Sequence, residues 1–314
     1  MNNFPTISIA NVKQIFNLAK NHPVFRLTPH TGSEFVIKAD RRGGMGSAAP
    51  GIAKFDATLM TKISNNTDIE LLTKTEVLQL QGCFSVVQPI AERMSFQKNA
   101  LSPDNFWYKM PLLKVTTMES MFDNEEGKML RKVFKLEKNL VKLGKIAAVD
   151  TFIGNADRFD PNGNLSNLGN IFFAKKRGLR GKTFTPIGLD FWNGFSEDMN
   201  LTLGQSRWDT MQQTHPKDFY ETQSRFIKWL LTLNDNGRMQ TFAQNAVESL
   251  NGELERNHVD SINTQKTKYK ILMARGMEEG AGAIKKYLKD IIAQKGMGGI
   301  PAGALYRMRI LKWV

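Results

Sequence analysis

Apolar and polar residues near the start of the chain follow first a helical and then a strand-like pattern. In residues 8–20 (SIANVKQIFNLAK) the apolar positions recur at near-helical spacing, which predicts a helix capped by Ser8 or Asn11. The runs VFRLT at 24–28 and EFVIKAD at 34–40 have the character of short strands, and the turn between them contains a glycine. We therefore predict that these two runs form paired strands.

Two helices and then two strands are predicted next. A glycine-rich run, RRGGMGSAAPG at 41–51, comes before them. Residues 52–63 place four apolar side chains on one helical face: Ile52, Phe55, Leu59 and Ile63. A second helix is predicted across 68–80, and the apolar runs at 83–96 and 105–113 are predicted to be strands.

Most of the rest of the chain is predicted to be helical. Residues 125–154 are predicted to form one long helix with an apolar stripe: Met129, Val133, Leu136, Leu140 and Leu143. Residues 170–191 are predicted to form a hairpin around the basic turn RGLRGK. Three further helices are predicted at 218–233, 239–254 and 264–293.

This order of elements predicts an α+β protein with two lobes. The first lobe, residues 1–114, is expected to be small and rich in strands. The second lobe, residues 115–314, is expected to be larger and helical. No internal repeat is visible.

Composition narrows the class of protein. The chain has 314 residues, of which 41% are hydrophobic, so it can bury a sizeable core and is not a disordered protein. Its apolar runs are shorter than the ~20 residues that span a bilayer, and its start lacks the pattern of a signal peptide. Cys83 is the single cysteine, so no internal disulfide forms, and its apolar neighbours indicate a buried, unreactive thiol. These features predict a cytoplasmic location.

The net charge of +13 predicts an acidic partner, such as a nucleotide, an acidic protein or an anionic lipid. A solvated basic surface without a partner is the alternative. Zinc-finger motifs and basic runs interleaved with aromatic residues are absent, so nucleic acid is not an expected partner. The four histidines are scattered and do not have the spacing of metal ligands.

Lys38 is the first candidate for a nucleotide site, because it lies inside the apolar run Phe35–Ala39. A lysine in such a strand holds nucleotide phosphates in kinases, whereas an edge-strand lysine is the plain alternative. Its expected acidic partner is Asp56, with Glu70 and Glu76 as alternatives. Two glycine-containing segments, at 30–33 and 43–47, are weak candidates for a phosphate loop.

Residues 146–190 contain an Asp, an Asn and an Asp in the order that a phosphotransferase needs. Asp157 follows the long predicted helix and is the candidate catalytic base, although it could instead form an Asx-turn or pair with Arg158. Asn170, before a predicted strand, and Asp190, after the next one, are the candidate ligands of Mg²⁺. Three other asparagines of the loop remain alternatives to Asn170: Asn162, Asn164 and Asn167.

The segments IAAVDTFIGNADRF, NLGNIFF and PIGLDFW resemble the catalytic core of the actin-fragmin kinase family, which belongs with the phosphatidylinositol-kinase-like atypical kinases. Six residues match that pattern: Gly154, Asn155, Asp157, Arg158, Asn170 and Asp190. HipA-type kinases have a similar Asn-x-Asp loop. The resemblance implies a two-lobed protein-kinase-like fold, a catalytic loop at 154–170, and ATP and Mg²⁺ as cofactors. It also implies that Lys38 binds ATP and that Met110 lies at the adenine-binding hinge.

The function implied is a protein serine/threonine kinase acting on an acidic protein, with actin or another host protein as one candidate. A bacterial effector secreted into the cytoplasm of a host cell is one setting for such an enzyme. A phosphoinositide kinase that meets anionic lipid is the second interpretation. The third is a pseudokinase or binding module that engages its partner through a basic surface.

Overall fold

The computed structural model of the protein describes residues 5–18, 23–39, 76–93, 107–123, 127–178, 181–188, 216–259, 262–300 and 302–314. In these residues a strand-rich region is followed by a largely helical region. The predicted α+β class is confirmed, and the arrangement is compatible with two lobes. The division of the chain at residue 114 stays a prediction.

Six strands form the first sheet of the described chain: β1 (Thr6–Ser8), β2 (Val12–Asn17), β3 (Val24–Pro29), β4 (Phe35–Ala39), β5 (Glu76–Gln81) and β6 (Trp107–Pro111). Their order across the sheet is β1-β5-β6-β4-β3-β2. Strand β1 runs parallel to β5, and the other neighbours are antiparallel. The predictions of β3, β4 and β6 as strands are therefore confirmed.

The helix predicted across residues 8–20 is wrong. A 3₁₀ turn at Ile9–Asn11, capped by the Ser8 side chain, leads directly into strand β2. The register against β3 shifts between Val12 and Gln14, which marks a β-bulge. The bulge allows Val12 and Ile15, three positions apart, to pack against the same core, so a strand reproduces a helix-like spacing.

Two neighbouring predictions are also wrong. Residues 76–80, predicted to end a helix, lie in strand β5, while residues 68–75 lie outside the described chain. The run at 83–96, predicted to be a strand, contains helix α1 (Phe84–Glu92). Its β-branched valines suggested a strand, but the helix places Cys83, Val87 and Ala91 four residues apart against the sheet.

One face of the sheet carries its core. Phe25, Leu27, Ile37, Leu78 and Trp107 are all at most 1% exposed, and the inner side of α1 covers them. Cys83 belongs to this core as a buried, unpaired thiol, and burial raises the pKa of that thiol. The prediction of a buried Cys83 is confirmed.

A second sheet of three strands begins the helical region: β7 (Val115–Thr117), β8 (Phe172–Gly178) and β9 (Gly181–Ile187), in that order. Strands β8 and β9 form the predicted hairpin, with Phe172 opposite Ile187 and Gly178 opposite Gly181. Strand β7 pairs with the start of β8.

Seven further helices are described: α2 (Met118–Phe122), α3 (Gly127–Lys135), α4 (Glu137–Ile153), α5 (Pro216–Leu230), α6 (Asn236–Arg256), α7 (Lys266–Lys295) and α8 (Ala302–Ile310). The single helix predicted at 125–154 is instead two, because Leu136 adopts an extended backbone between α3 and α4. Leu136 is 45% exposed, so it does not belong to the predicted apolar stripe, whereas Val133, Leu140 and Leu143 are buried. Among the described residues, none of the helices is both long and apolar enough to cross a membrane.

Helices α4 and α7 pack at very short range. A Cβ atom at Gly144 would lie 2.0 Å from the Met273 carbonyl oxygen, and one at Gly276 would lie 2.1 Å from that of Val141. Only glycine permits backbones to approach so closely. The contact fixes the position of α4, which leads directly into the loop at 154–170.

We expect Gly276→Ala to destabilise the protein by about 3 kcal/mol or more, because the added methyl group forces α4 and α7 apart. Urea denaturation of the variant measures this loss. Gly282→Ala is the matched control in the same helix, since a Cβ there meets nothing within 4 Å. Alanine has the higher helix propensity, so the control should gain up to ~1 kcal/mol. Equal stability of the two variants would contradict the close approach.

Candidate functional site

Strand β4 places Lys38 on the face of the first sheet that is opposite the core. Lys38 lies across from Tyr108, and Val36 lies across from Met110. Paired residues and alternate residues share a face, so Lys38 and Met110 lie on the same face. The buried Ile37 points to the other face. The register thus places on one face the two described residues that the resemblance assigned to ATP.

Three predicted features of the nucleotide site lie outside the described residues: Asp56, Glu70 and the glycine-rich run at 41–51. The remaining acidic candidate, Glu76, accepts a hydrogen bond from Lys109 Nζ at 3.0 Å. Glu76 and Lys109 are opposite each other in the register, on the face that does not carry Lys38. Glu76 is therefore a poor candidate for the partner of Lys38.

A buried ion pair anchors the second part of the site. Asp150 lies in the last turn of α4 and is 0% exposed, and Arg158 follows eight residues later and is 1% exposed. Arg158 Nε donates to Asp150 Oδ2 at 2.8 Å, and Arg158 Nη2 donates to Oδ1 at 2.5 Å. This fork-like contact holds the chain after α4 against the end of the helix.

Asn155 adds a third hydrogen bond to the same carboxylate. Its Nδ2 donates to Asp150 Oδ1 at 2.8 Å, while its Oδ1 accepts from the backbone N–H of Asp157 at 3.3 Å. Gly154 ends α4 with a φ of +71°, a left-handed conformation that glycine adopts without strain. The Asx-turn considered for Asp157 thus exists, but Asn155 forms it, and Asp157 itself is half-buried.

Burial raises the pKa of the Asp150 carboxyl, and the guanidinium of Arg158 opposes that shift. The nearby Asp157 carboxylate contributes a smaller upward shift to the same pKa. All three hydrogen bonds to the Asp150 side chain come from N–H donors, which is the pattern that an ionised carboxylate accepts. The site therefore holds Asp150 as an anion paired with Arg158.

The asparagine-rich loop that follows is closed by Asp160. Its Oδ1 accepts from the backbone N–H groups of Asn162 at 2.9 Å and Asn164 at 2.8 Å, and its Oδ2 accepts from Asn164 Nδ2 at 3.0 Å. A short bridge between Phe159 and Leu165 completes the loop. The loop is thus an ordered turn built on one carboxylate.

Helix α6 holds this loop from the other side. Asn245 Nδ2 donates to the Asn162 carbonyl at 2.8 Å, and the backbone N–H of Leu165 donates to Ser249 Oγ at 3.1 Å. Phe242, one turn earlier, has its ring centroid 5.8 Å from that of Phe159. Residues 242, 245 and 249 lie on one side of a helix, so a single face of α6 positions the loop.

The four candidate metal asparagines differ in what their side chains do. Asn164 bonds to Asp160, and Asn167 caps a 3₁₀ turn by accepting from the Gly169 N–H at 2.9 Å. Asn162 is exposed, and Asn170 is half-buried at the end of the 3₁₀ turn, two residues before β8. The choice between Asn170 and Asn162 therefore remains, whereas Asn164 and Asn167 serve the local structure.

The β8–β9 hairpin determines what lies near Asn170. Because Phe172 is opposite Ile187, the chain enters the hairpin at Asn170 and leaves it at Gly188 from the same end. Asp190, two residues after Gly188, lies outside the described residues. The Glu119 carboxylate is close to this end, since a Cβ at Gly169 would lie 2.9 Å from Glu119 Oε2. Within the described ranges, no group of three or more His, Cys, Asp or Glu side chains is arranged to hold a metal ion.

Sequence reasoning missed Asp150 and the contacts of α6. A signal for Asp150 was present, because a lone carboxylate in the apolar run IAAVDTFIG needs a cation nearby and Arg158 follows. No local signal marks Asn245 or Ser249, since their role depends on how α6 packs against a loop about 80 residues earlier in the chain.

We expect Arg158→Met to destabilise the protein by about 3–5 kcal/mol, because it leaves the Asp150 carboxylate buried and unpaired. Urea denaturation followed by circular dichroism measures the loss. Lys286→Met, which removes the exposed pair with Asp290, is the control and should remain close to wild type. The double variant Asp150→Leu/Arg158→Met should regain much of the loss. An Arg158→Met protein as stable as wild type would contradict the anchoring role of the pair.

Comparison with protein-family models, with curated proteins and with solved structures gives no significant match for this chain. A function has therefore to be inferred from the residues of the chain and from their geometry.

Proposed function

We propose that this protein is a phosphotransferase that moves the γ-phosphoryl group of ATP to a hydroxyl group of a protein, in a two-lobed protein-kinase-like fold. Asp157 is its catalytic base. Lys38 and Met110 contact the nucleotide, and Asn170 with Asp190 provides the ligands of Mg²⁺. The resemblance of residues 146–190 to atypical kinases is one support, and the geometry around Asp157 is the other.

One observation carries the proposal: a half-buried aspartate is held in a loop that is fixed at both ends. Asn155 receives the Asp157 N–H on one side, and the Asp150–Arg158 pair lies directly next to it. Helix α6 anchors the following residues through Asn245 and Ser249. A surface carboxylate without a function needs no such set of contacts around its loop. Phosphoryl transfer, in contrast, depends on accurate positioning of its catalytic base.

The first sheet supports the nucleotide part of the proposal. Lys38 is on the third strand of the antiparallel run β2-β3-β4, the position of the phosphate-binding lysine in protein kinases. Met110 shares its face, one strand away, and is close to the end of β6 where the adenine hinge is expected. Asp56 is kept as the proposed acidic partner of Lys38, on the sequence alone.

The candidate ligands fit Mg²⁺ in their chemistry. The amide oxygen of Asn170 and the carboxylate of Asp190 are oxygen donors, which Mg²⁺ prefers, and Glu119 adds a carboxylate beside Gly169. When bound, Mg²⁺ would supply positive charge to the phosphate oxygens. The half-buried position of Asn170 suits a ligand that is held in place before the metal arrives.

In the proposed step, the acceptor hydroxyl oxygen forms a bond to the γ-phosphorus while the bond to the β–γ bridging oxygen breaks, and ADP leaves. Asp157 orients the hydroxyl group and accepts its proton. Lys38 holds the α- and β-phosphates. Most of the rate enhancement would come from positioning and charge rather than from covalent chemistry. A serine or threonine of an acidic protein is the proposed acceptor, consistent with the charge of +13.

We expect Asp157→Asn to lower phosphate transfer from labelled ATP by about a hundredfold or more, because the amide cannot accept the proton. Incubation with labelled ATP and cell protein, followed by mass spectrometry of the labelled band, gives the rate and the acceptor residue. The variant should keep the thermal shift of the wild-type protein with Mg·ATP.

Asp123→Asn, at the exposed end of α2, is the control and should transfer phosphate at the wild-type rate. Wild-type activity in Asp157→Asn would remove Asp157 from the mechanism. A wild-type protein with no thermal shift and no transfer would favour a binding module, and transfer to phosphoinositide vesicles alone would favour a lipid kinase.

We expect Asn170→Ala to raise the Mg²⁺ concentration needed for half-maximal transfer by roughly tenfold, because one metal ligand is lost. Asn162→Ala is the matched control in the same loop. The contacts of Asn162 with Asp160 and Asn245 use its backbone, so alanine preserves them and the variant should behave as wild type. The reverse result, with the Mg²⁺ dependence changed only in Asn162→Ala, would move the metal site to Asn162.

A further inference from the structure

Helix α3 carries a stripe of basic side chains on the side that faces away from its core. The stripe consists of Lys128, Arg131, Lys132 and Lys135. Their spacing of i, i+3, i+4 and i+7 places them on one side of the helix, while Leu130, Val133 and Phe134 are buried on the other. Helix α3 itself contains no acidic residue.

The start of α7 lies close to the end of this stripe. Lys268 Nζ lies 2.6 Å from Glu137 Oε1, so the first turns of α4 and α7 are adjacent directly after α3 ends. On α7, Lys268, Ile271 and Arg275 follow one another at i, i+3 and i+7, and all three are exposed. We call the combined area the basic surface: Lys128, Arg131, Lys132, Lys135, Leu136, Lys138, Lys268, Ile271 and Arg275.

Two glutamates form ion pairs with residues of the basic surface. Glu137 pairs with Lys268, and Glu279 lies 3.6 Å from Arg275 but also 2.8 Å from Lys145. Among the described residues, no acid forms an ion pair with Lys132 or Lys135. Glu125 and Glu126 precede α3 in the sequence and lie outside the described residues, so Lys132 and Lys135, at the far end of the helix, are the better probes.

Two apolar side chains project from among these cations. Leu136 is 45% exposed at the corner between α3 and α4, and Ile271 is 61% exposed on α7 between Lys268 and Arg275. Neither lies on a strand edge, the site at which extended peptides add to a sheet. Exposed apolar side chains that are flanked by long lysines suit a partner surface that is both negatively charged and partly apolar.

We propose that the basic surface docks this protein onto an anionic membrane, with the lysines and arginines at the lipid headgroups and Leu136 and Ile271 in the interface. Clusters of four to eight basic residues bind acidic lipids in this way, and each contributes roughly fivefold to the binding constant near the surface. The inference is independent of the proposed phosphotransfer, since no residue of the basic surface takes part in it. It would bring the enzyme to a surface where acidic partners are concentrated.

The test measures binding of the full chain to phosphatidylcholine vesicles with and without about 30% phosphatidylserine, by co-sedimentation. Lys132→Gln/Lys135→Gln should lower the binding constant by about thirtyfold, and raising the salt to 0.5 M should lower it further. Ile271→Ser should weaken binding with little effect on stability, because the side chain is already largely exposed. Lys289→Gln/Lys295→Gln is the charge-matched control, since both of these lysines lie about 20 Å or more along α7 from Arg275.

Binding that needs phosphatidylserine, falls in the stripe variant and persists in the control supports the proposal. Equal losses in both double variants would mean that net charge alone drives adsorption, which overturns it. Absence of vesicle binding also overturns it. Soluble poly-glutamate serves as the competing probe: if it binds through Lys132 and Lys135 while vesicles do not, the surface recognises an acidic polypeptide instead.

Discussion

The buried pair of Asp150 and Arg158 organises the candidate site. A carboxylate with no exposure to water is unstable in an apolar helix unless a cation and further donors reach it. Arg158 is eight residues later in the chain, so satisfying this carboxylate forces the backbone to turn back at Gly154 and to pass close to the end of α4. Asn155 and Asp157 lie within that turn. The positions of Asn155 and Asp157 therefore depend on how the buried charge of Asp150 is neutralised, although Asp150 takes no direct part in the proposed chemistry.

The loop is held by contacts to helices α4 and α6. Helix α4 is locked to α7 through Gly144 and Gly276, where there is no space for a methyl group, so the anchor of Asp150 cannot shift easily. On the other side, one face of α6 contacts the loop through Asn245 and Ser249. A polar loop between two packed helices is preorganised, which is the condition under which a single carboxylate can orient a substrate hydroxyl group.

The successes and failures of sequence reasoning have a common physical origin. Helices α5, α6 and α7 were predicted correctly, because long runs with one period leave little choice of structure. The β8–β9 hairpin was predicted correctly from the glycine-containing turn between its strands. The errors at residues 8–20 and 83–96 occurred where a short run was ambiguous. A bulge gave strand β2 a helix-like spacing, and the valines of α1 suggested a strand although packing on the sheet favours a helix there.

By itself the sequence determined the α+β class, the placement of Lys38 in a strand and the order of Asp157, Asn170 and Asp190 along the chain. These are local properties, since they depend on residue type and on the spacing of near neighbours. Tertiary structure decided which face of the sheet carries Lys38 and Met110, which cation neutralises Asp150, and which helix holds the asparagine-rich loop. Each of these depends on contacts between segments that are apart in the chain, and such contacts arise only when the strands pair and the helices pack.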